Sequence, residues 1–357
     1  MLKEHGGNLE AIEAHWGPTE KAVTDFSINL NLFAPKPDAK LWGKWLERIG
    51  TYPPPTGHSI EARLKDIYGI RQGYVVSTHG AMEALDLVLR LFSGRTVYIP
   101  CPCFNEYLHV AESNRCRIIR ILQEKAQWQT LDFVSRAETG SVILIGNPGN
   151  PTGQLLPKDT LKHAIRTRPD LIWVIDEAFI EFTTGGNSNS LTDSLSELRN
   201  CILLRSLTKS WAIPGIRIGF AATSNENWSH KISKHKLTWS LCAVTHAWAD
   251  HFLKREYYQQ LRNGLKNYAE LKEELSDAIE QLEGIQVIPS TTNYLLLELY
   301  EPNAVAAAQK LWQKGILVRT MSGVPGINEN HYLRICVRDK RDNKHFTGTL
   351  KTVLHEL

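Results

Sequence analysis

A lysine stands in Ser206-Leu207-Thr208-Lys209, directly after the apolar run Cys201–Arg205 and shortly before Pro214. A primary amine so placed can hold an aldehyde as a Schiff base, whereas most other lysines of the chain fall on amphipathic or polar stretches that read as solvated faces. Asp176, 33 residues upstream, opens the tetrapeptide DEAF after the apolar run Leu171–Ile175. A carboxylate there could keep a pyridine-type nitrogen protonated; an aspartate in that place could equally cap a helix. Ser206, Thr208 and Arg217 flank the lysine at offsets −3, −1 and +8 and carry donors suited to a phosphate. Gly80-Ala81-Met82 opens a helical stretch whose first backbone N–H groups form a second anion site. Asn150, in NPTG, offers an amide in a segment that N-P and Gly would make a turn anyway. Phe104, in CPCFNEY, could lie against a flat ring or simply pack in a core.

The elements that must bring these residues together follow from the hydrophobic pattern. Short β-rich runs at Gly73–Ser77, Thr96–Pro100, Ile118–Leu122, Ser141–Ile145, Leu171–Ile175, Cys201–Arg205 and Ile218–Ala222 alternate with helical stretches such as Ala81–Phe92 and Pro157–Arg168. Such alternation means an α/β sheet, mostly parallel and covered on both faces, which binds ligands beyond the carboxyl ends of its strands. The chemistry-bearing residues all follow predicted strands. Residues 1–40 read as an arm with no helix or strand long enough to stand alone, 41–245 as the large domain and 246–357 as a smaller α+β domain. In the latter, Ala243–Leu282 reads as one long amphipathic helical region, followed by strands at Val287–Ile288, Tyr294–Leu299 and Leu333–Val337 with the helix Ala304–Gln313 between.

The chain of 357 residues is 42% hydrophobic and 22% charged, near globular averages, which argues against disorder and coiled coil. Its formal net charge of +3 comes without a basic block, so no nucleic-acid arm is expected. Runs such as SVILIG and LIWVI fall far short of a membrane span, and the first residues lack the apolar core of a signal peptide, so a cytoplasmic protein is expected. Six scattered cysteines, of which only Cys101 and Cys103 are close neighbours, are a poor metal or disulfide signal; no metal site is expected.

Lys209, Asp176 and the phosphate donors together point to pyridoxal 5'-phosphate (PLP) as cofactor, on an α/β fold of the PLP-dependent transferase fold type I (aspartate-aminotransferase-like), with a mostly parallel seven-stranded sheet in the large domain. Nearly the whole chain resembles the threonine-phosphate decarboxylases of cobamide biosynthesis, decarboxylating relatives of the histidinol-phosphate aminotransferases. The motifs DEA, SLTK, GIRIG and NPTG are common to both groups. The discriminating segments are HGGN (His5–Asn8), DFSINLN (Asp25–Asn31), DEAFIEF (Asp176–Phe182) and RSLTKSWAIPGIRIGF (Arg205–Phe220). Phenylalanine at Phe179, where the aminotransferases usually carry tyrosine, favours the decarboxylases.

The resemblance implies that His5, Gly6, Asn29, Asn150, Arg319 and Arg334 contact a phosphorylated amino acid, with Arg334 on its carboxylate and Arg319 and His5 on its phosphate. Arg319 is expected just after a short strand, Ile316–Val318. It also implies a homodimer in which Tyr52, in TYPPP, reaches the partner's cofactor phosphate. The implied reaction is decarboxylation of O-phospho-L-threonine to (R)-1-amino-2-propanol O-2-phosphate. The alternatives are O-phospho-L-serine as substrate, histidinol-phosphate transamination, and a PLP-binding protein without turnover. Two departures from the pattern bear on the substrate. Thr78-His79-Gly80-Ala81-Met82-Glu83 replaces G-N-G-x-T/A-E, and Gly149-Asn150 replaces the asparagine pair before P-T-G.

Overall fold

The protein is described from a computed structural model covering residues 6–124 and 130–357. Its large sheet has seven strands in the order Tyr74–Thr78, Gly219–Thr223, Cys201–Ser206, Ile172–Asp176, Val142–Gly146, Thr96–Cys101, Arg117–Leu122. Gly219–Thr223 runs antiparallel to both neighbours and every other pairing is parallel. Each expected strand is present, displaced by a residue or so. Central strands such as Cys201–Ser206 are buried along their whole length, which is why they read as unbroken apolar runs rather than alternating ones. Successive residues still point to opposite layers. Ile143, Trp173, Ile175 and Leu203 join one core cluster, while Val142, Leu144, Ile172 and Val174 join the other. The edge strand Arg117–Leu122 is half exposed and carries Arg117 and Arg120, charges that discourage further pairing.

A second, fully antiparallel sheet follows the order Arg319–Thr320, Tyr332–Cys336, Tyr294–Leu299, Ile285–Ile288. Its apolar face, with Leu295, Leu297, Leu333 and Ile335, lies in the same core cluster as Trp173 and Leu203 of the large sheet. The two sheets thus share one continuous interior.

One expectation is corrected and two are made more exact. The region Ala243–Leu282 is not one helix but three, Ala243–Phe252, Arg255–Leu265 and Asn267–Glu280. Lys254 is extended between the first two, and Phe252 and Tyr257 pack ring to ring across the turn at 4.8 Å. No Gly or Pro marks that corner, so helical periodicity carries straight through it. The segment 1–40 contains an eight-residue helix, Leu9–Trp16, capped by the Asn8 side chain and pinned where Trp312 Nε1 donates to Gly17 O at 2.9 Å. Arg319 follows the short strand Ile316–Leu317 as expected, that strand pairing with Thr24–Asp25, and itself begins the next strand, Arg319–Thr320, directly opposite Arg334.

Candidate active site

Carboxyl ends of the parallel strands converge on a cavity of about 520 Å³. Asp176 ends one central strand, and Ser206 ends its neighbour and leads into the four-residue helix Leu207–Ser210 that carries Lys209. The antiparallel strand Gly219–Thr223 starts beside both Ser206 and Thr78, which brings Arg217 next to the helix that begins at Gly80. Gly80 has φ +76°, a conformation that strains any residue with a side chain, and a Cβ there would lie 2.6 Å from Arg217 Nη2, so glycine lets the arginine sit close to this helix start. Ala81, Met82, Ser206, Thr208, Lys209 and Arg217 all line the cavity.

Asp176 is held by two donors. Tyr107 Oη donates to Oδ2 at 2.8 Å and Ala178 N donates to Oδ1 at 2.9 Å. The alternative role as helix cap is not taken, since no α-helix starts at Asp176. Burial raises its carboxyl above the ordinary range, opposed by the Tyr107 hydrogen bond and by Lys209. Burial lowers Lys209, countered by Asp176 and reinforced by Arg217 and Arg334. An amine so depressed is closer to the neutral form that attacks a carbonyl carbon. Lys209 Nζ donates to Ser206 Oγ at 3.3 Å and lies 5.5 Å from the centre of the Phe179 ring.

Opposite these groups, the small sheet supplies Arg319 and Arg334, each 9% exposed. Arg334 Nη1 donates to Asn150 Oδ1 at 2.5 Å and Nη2 to Ser27 O at 3.1 Å, so Asn150 is more than a turn residue. Residues 6–31 complete the wall: Gly6, Ser27, Ile28 and Asn29 line the cavity, and a Cβ on Gly6 would meet Ser27 O at 2.3 Å. Asn29 Oδ1 is buried without a hydrogen-bond partner among the described residues and belongs to a side chain that lines the cavity.

The structure therefore gathers Gly6, Asn29, Ala81, Met82, Phe104, Asn150, Asp176, Ser206, Thr208, Lys209, Arg217, Arg319 and Arg334 around one cavity. Gly80 stands behind Arg217 rather than in the lining. Tyr52 does not reach this chain's cavity; it is 85% exposed and packs on Trp239 at 5.1 Å. His5 lies outside the described residues. Tyr107 was missed: it stands three residues after Phe104, whose ring it meets edge-on at 5.6 Å, and no local signal ties it to Asp176. Cys101 Sγ and Cys103 Sγ, 3.8 Å apart, are hydrogen-bonded free thiols and not a disulfide. Among the described residues no cluster of metal-ligating side chains is present, and no helix is long and apolar enough to cross a membrane.

Residues 21–350 match the family Aminotransferase class I and II. The chain belongs to that family. It is 28% identical to the "Adenosylcobalamin biosynthesis bifunctional protein CobDQ" of Leptospira interrogans over 99% of this chain, which spans only 41% of that longer relative. The threonine-phosphate decarboxylase of Salmonella typhimurium is 28% identical over 98% of this chain and 96% of its own length. The histidinol-phosphate aminotransferase of Methanocaldococcus jannaschii is 26% identical over 98% and 94%. Among solved structures, the histidinol-phosphate aminotransferase of Clostridium acetobutylicum has a TM-score of 0.85 at 24% identity, covering 93% of this chain and 99% of that one. L-threonine-O-3-phosphate decarboxylase of Porphyromonas gingivalis has 0.80 at 23%, covering 92% and 99%. The Sinorhizobium meliloti histidinol-phosphate aminotransferase, solved with PLP bound, has 0.79 at 19%, covering 97% and 94%. These likenesses support fold type I, and PLP is the cofactor of this family. The residues here fit it: a carboxylate at a strand end, a depressed lysine amine and a donor cluster at a helix N-terminus face one cavity.

Proposed function

We propose that this chain is a PLP-dependent decarboxylase acting on O-phospho-L-threonine to give (R)-1-amino-2-propanol O-2-phosphate, the linker of the cobalamin nucleotide loop. One observation carries the reading. Arg319 and Arg334 stand directly opposite each other on neighbouring antiparallel strands, both facing the cavity. Two guanidinium groups side by side on one wall suit a substrate bearing both a carboxylate and a phosphate, since each can take one anionic group with bidentate contacts. The Leptospira and Salmonella relatives, and Phe179 in place of tyrosine, point the same way.

In this reading Lys209 would hold the cofactor covalently, Asp176 would face its ring nitrogen, and Ser206, Thr208, Arg217 and the helix start at Gly80-Ala81-Met82 would hold its phosphate. Asn150 would face its phenolic oxygen and Phe104 its ring. The bound cofactor supplies an electron sink for the pair left on Cα when CO2 departs. Arg334 holds the departing carboxylate and Arg319, with His5, the substrate phosphate, while Gly6 and Asn29 close the pocket around them. Binding energy from the phosphate is thereby spent on orienting the bond that breaks. Lys209 Nζ, released when substrate binds, returns the proton to Cα.

A homodimer belongs to the proposal. Tyr52, Trp239, Leu237, Ile49 and Leu46 are all at least 50% exposed, and Trp239 N meets Pro55 O, so the Tyr52 loop carries a large apolar surface suited to a second copy. The second reading, histidinol-phosphate transamination, rests on the Methanocaldococcus relative.

The test is incubation of the PLP-loaded protein with phosphothreonine, with phosphoserine, and with histidinol phosphate plus 2-oxoglutarate, followed by mass spectrometry. CO2 with aminopropanol phosphate is expected. Ethanolamine phosphate would move the substrate to phosphoserine, a change of one methyl worth only ~1–3 kcal/mol of discrimination. Glutamate without CO2 would overturn the proposal in favour of transamination.

A further inference from the structure

Two segments marked out by the sequence, DEAFIEF and DFSINLN, contain residues that the reaction does not use: Glu177, Glu181 and Asn31. All three are buried. Glu177 follows Asp176 in sequence, Arg205 precedes Ser206, and Ser210 follows Lys209; Arg205 meets Glu177 behind the cavity, and Glu181 links Ser210 to Arg205. Arg205, 1% exposed, donates from Nη1 to Glu177 Oε2 at 3.1 Å, and its Nη2 lies 3.8 Å from Glu181 Oε2. The same Glu181 Oε2 accepts from Ser210 Oγ at 2.6 Å. Asn31 closes the arrangement from the other side, its N donating to Lys209 O at 3.0 Å and its Nδ2 to Ser210 O at 2.8 Å.

Burying one guanidinium between two carboxylates is poor design for stability alone, since apolar residues of similar volume would serve as well or better. It is good design for direction. The helix Leu207–Ser210 has only four residues and cannot hold its own orientation, so whatever aims Lys209 must come from outside it. We propose that Glu181 and Ser210 are positioning residues: the carboxylate, itself anchored by Arg205, fixes Ser210 and thereby the direction in which Lys209 enters the cavity. Neither Glu181 nor Ser210 lines that cavity, so both act through Lys209. The inference rests on Lys209 as the covalent partner of the cofactor.

The experiment compares wild type with Ser210→Ala, Glu181→Ala and Glu181→Gln. Cofactor is added to the cofactor-free proteins, its attachment to Lys209 is trapped with borohydride at intervals and read as intact mass, and kcat, KM and Tm are measured on the loaded proteins. Loss of a hydrogen bond to a charged group predicts attachment and kcat slower by about tenfold in Ser210→Ala and Glu181→Ala, with KM unchanged. Glu181→Gln keeps an oxygen that accepts from Ser210 but not the charge, and recovers part of the rate, to a defect smaller than that of Ser210→Ala. Should Glu181→Ala fail to fold, Ser210→Ala decides, because it removes a single oxygen atom. Wild-type attachment and kcat in Ser210→Ala, with only Tm lowered, overturn the inference, as does a Glu181→Gln protein with the defect of Ser210→Ala. Absence of trapped cofactor on Lys209 in the wild type overturns the underlying role of Lys209 itself, and this inference with it.

Discussion

The hydrogen bond from Tyr107 to Asp176 makes a stability prediction whose size depends on pH. Tyr107→Phe removes one oxygen from a side chain that is 3% exposed and keeps the ring in its edge-on contact with Phe104. Packing is conserved, and the loss is confined to the 2.8 Å bond on Asp176 Oδ2. A hydrogen bond to a charged group is worth ~1.5–3 kcal/mol against ~0.5–1.5 for a neutral one, so the variant is destabilised more when Asp176 is ionised. Burial already raises the folded-state pKa of Asp176 above its unfolded value. The folded protein therefore holds more protons than the unfolded chain between those two values, and this group's contribution to stability falls as pH rises through that window. Removing the Tyr107 donor extends the window upward and deepens the fall. Urea unfolding of the cofactor-free wild type, Tyr107→Phe and Asp176→Asn across pH tests this. The wild-type advantage over Tyr107→Phe is expected to be ~1.5–3 kcal/mol above the window and smaller in acid, while Asp176→Asn loses this component of the pH dependence. A difference that is independent of pH, or larger in acid, would refute the argument.

Other perturbations give separable readouts. Gly80→Ala forces a Cβ to 2.6 Å from Arg217 Nη2 at a φ of +76°, so cofactor affinity measured by fluorescence quenching should weaken by ~1–3 kcal/mol of strain, and unchanged affinity would show that Arg217 is not pinned there. Gly153→Ala, where φ is +70° and the new Cβ would lie 2.1 Å from Ser290 Oγ, should lower thermal stability by a similar ~1–3 kcal/mol by loosening the contact with the Ser290–Thr292 segment. Arg334→Gln and Arg319→Gln should each raise KM for a doubly anionic substrate by about 10- to 150-fold through loss of a charged hydrogen bond, and a Lys replacement should recover only part of it, because a single ammonium cannot grip bidentately. If either variant binds substrate as the wild type does, that arginine is not an anchor.

How much of this was legible beforehand depends on the range of the interaction concerned. The central strands were readable because burial on both faces leaves an unbroken apolar run, and Lys209, Asp176 and Arg217 because the roles proposed for them demand fixed residue types beside strands. The corner at Lys254 was not, since its extended backbone accommodates packing between Phe252 and Tyr257 rather than any local turn residue. Tyr107 was passed over for a related reason: nothing near it in sequence announces a carboxylate 69 positions away, and only the strand order sets the two side by side.

The sequence by itself determined the strand-helix alternation, the class of cofactor chemistry and the residue types that carry it, because hydrophobic period and functional-group identity are local properties of a chain. Only the tertiary structure decided that Arg319 faces Arg334, that Asn31 holds the carbonyls of Lys209 and Ser210 across 178 and 179 positions, and that Arg205, Glu181 and Ser210 meet behind the cavity. Those relations depend on strand register and on which layers share a core. Both are settled by packing the whole chain at once, where the position of each element depends on all the others.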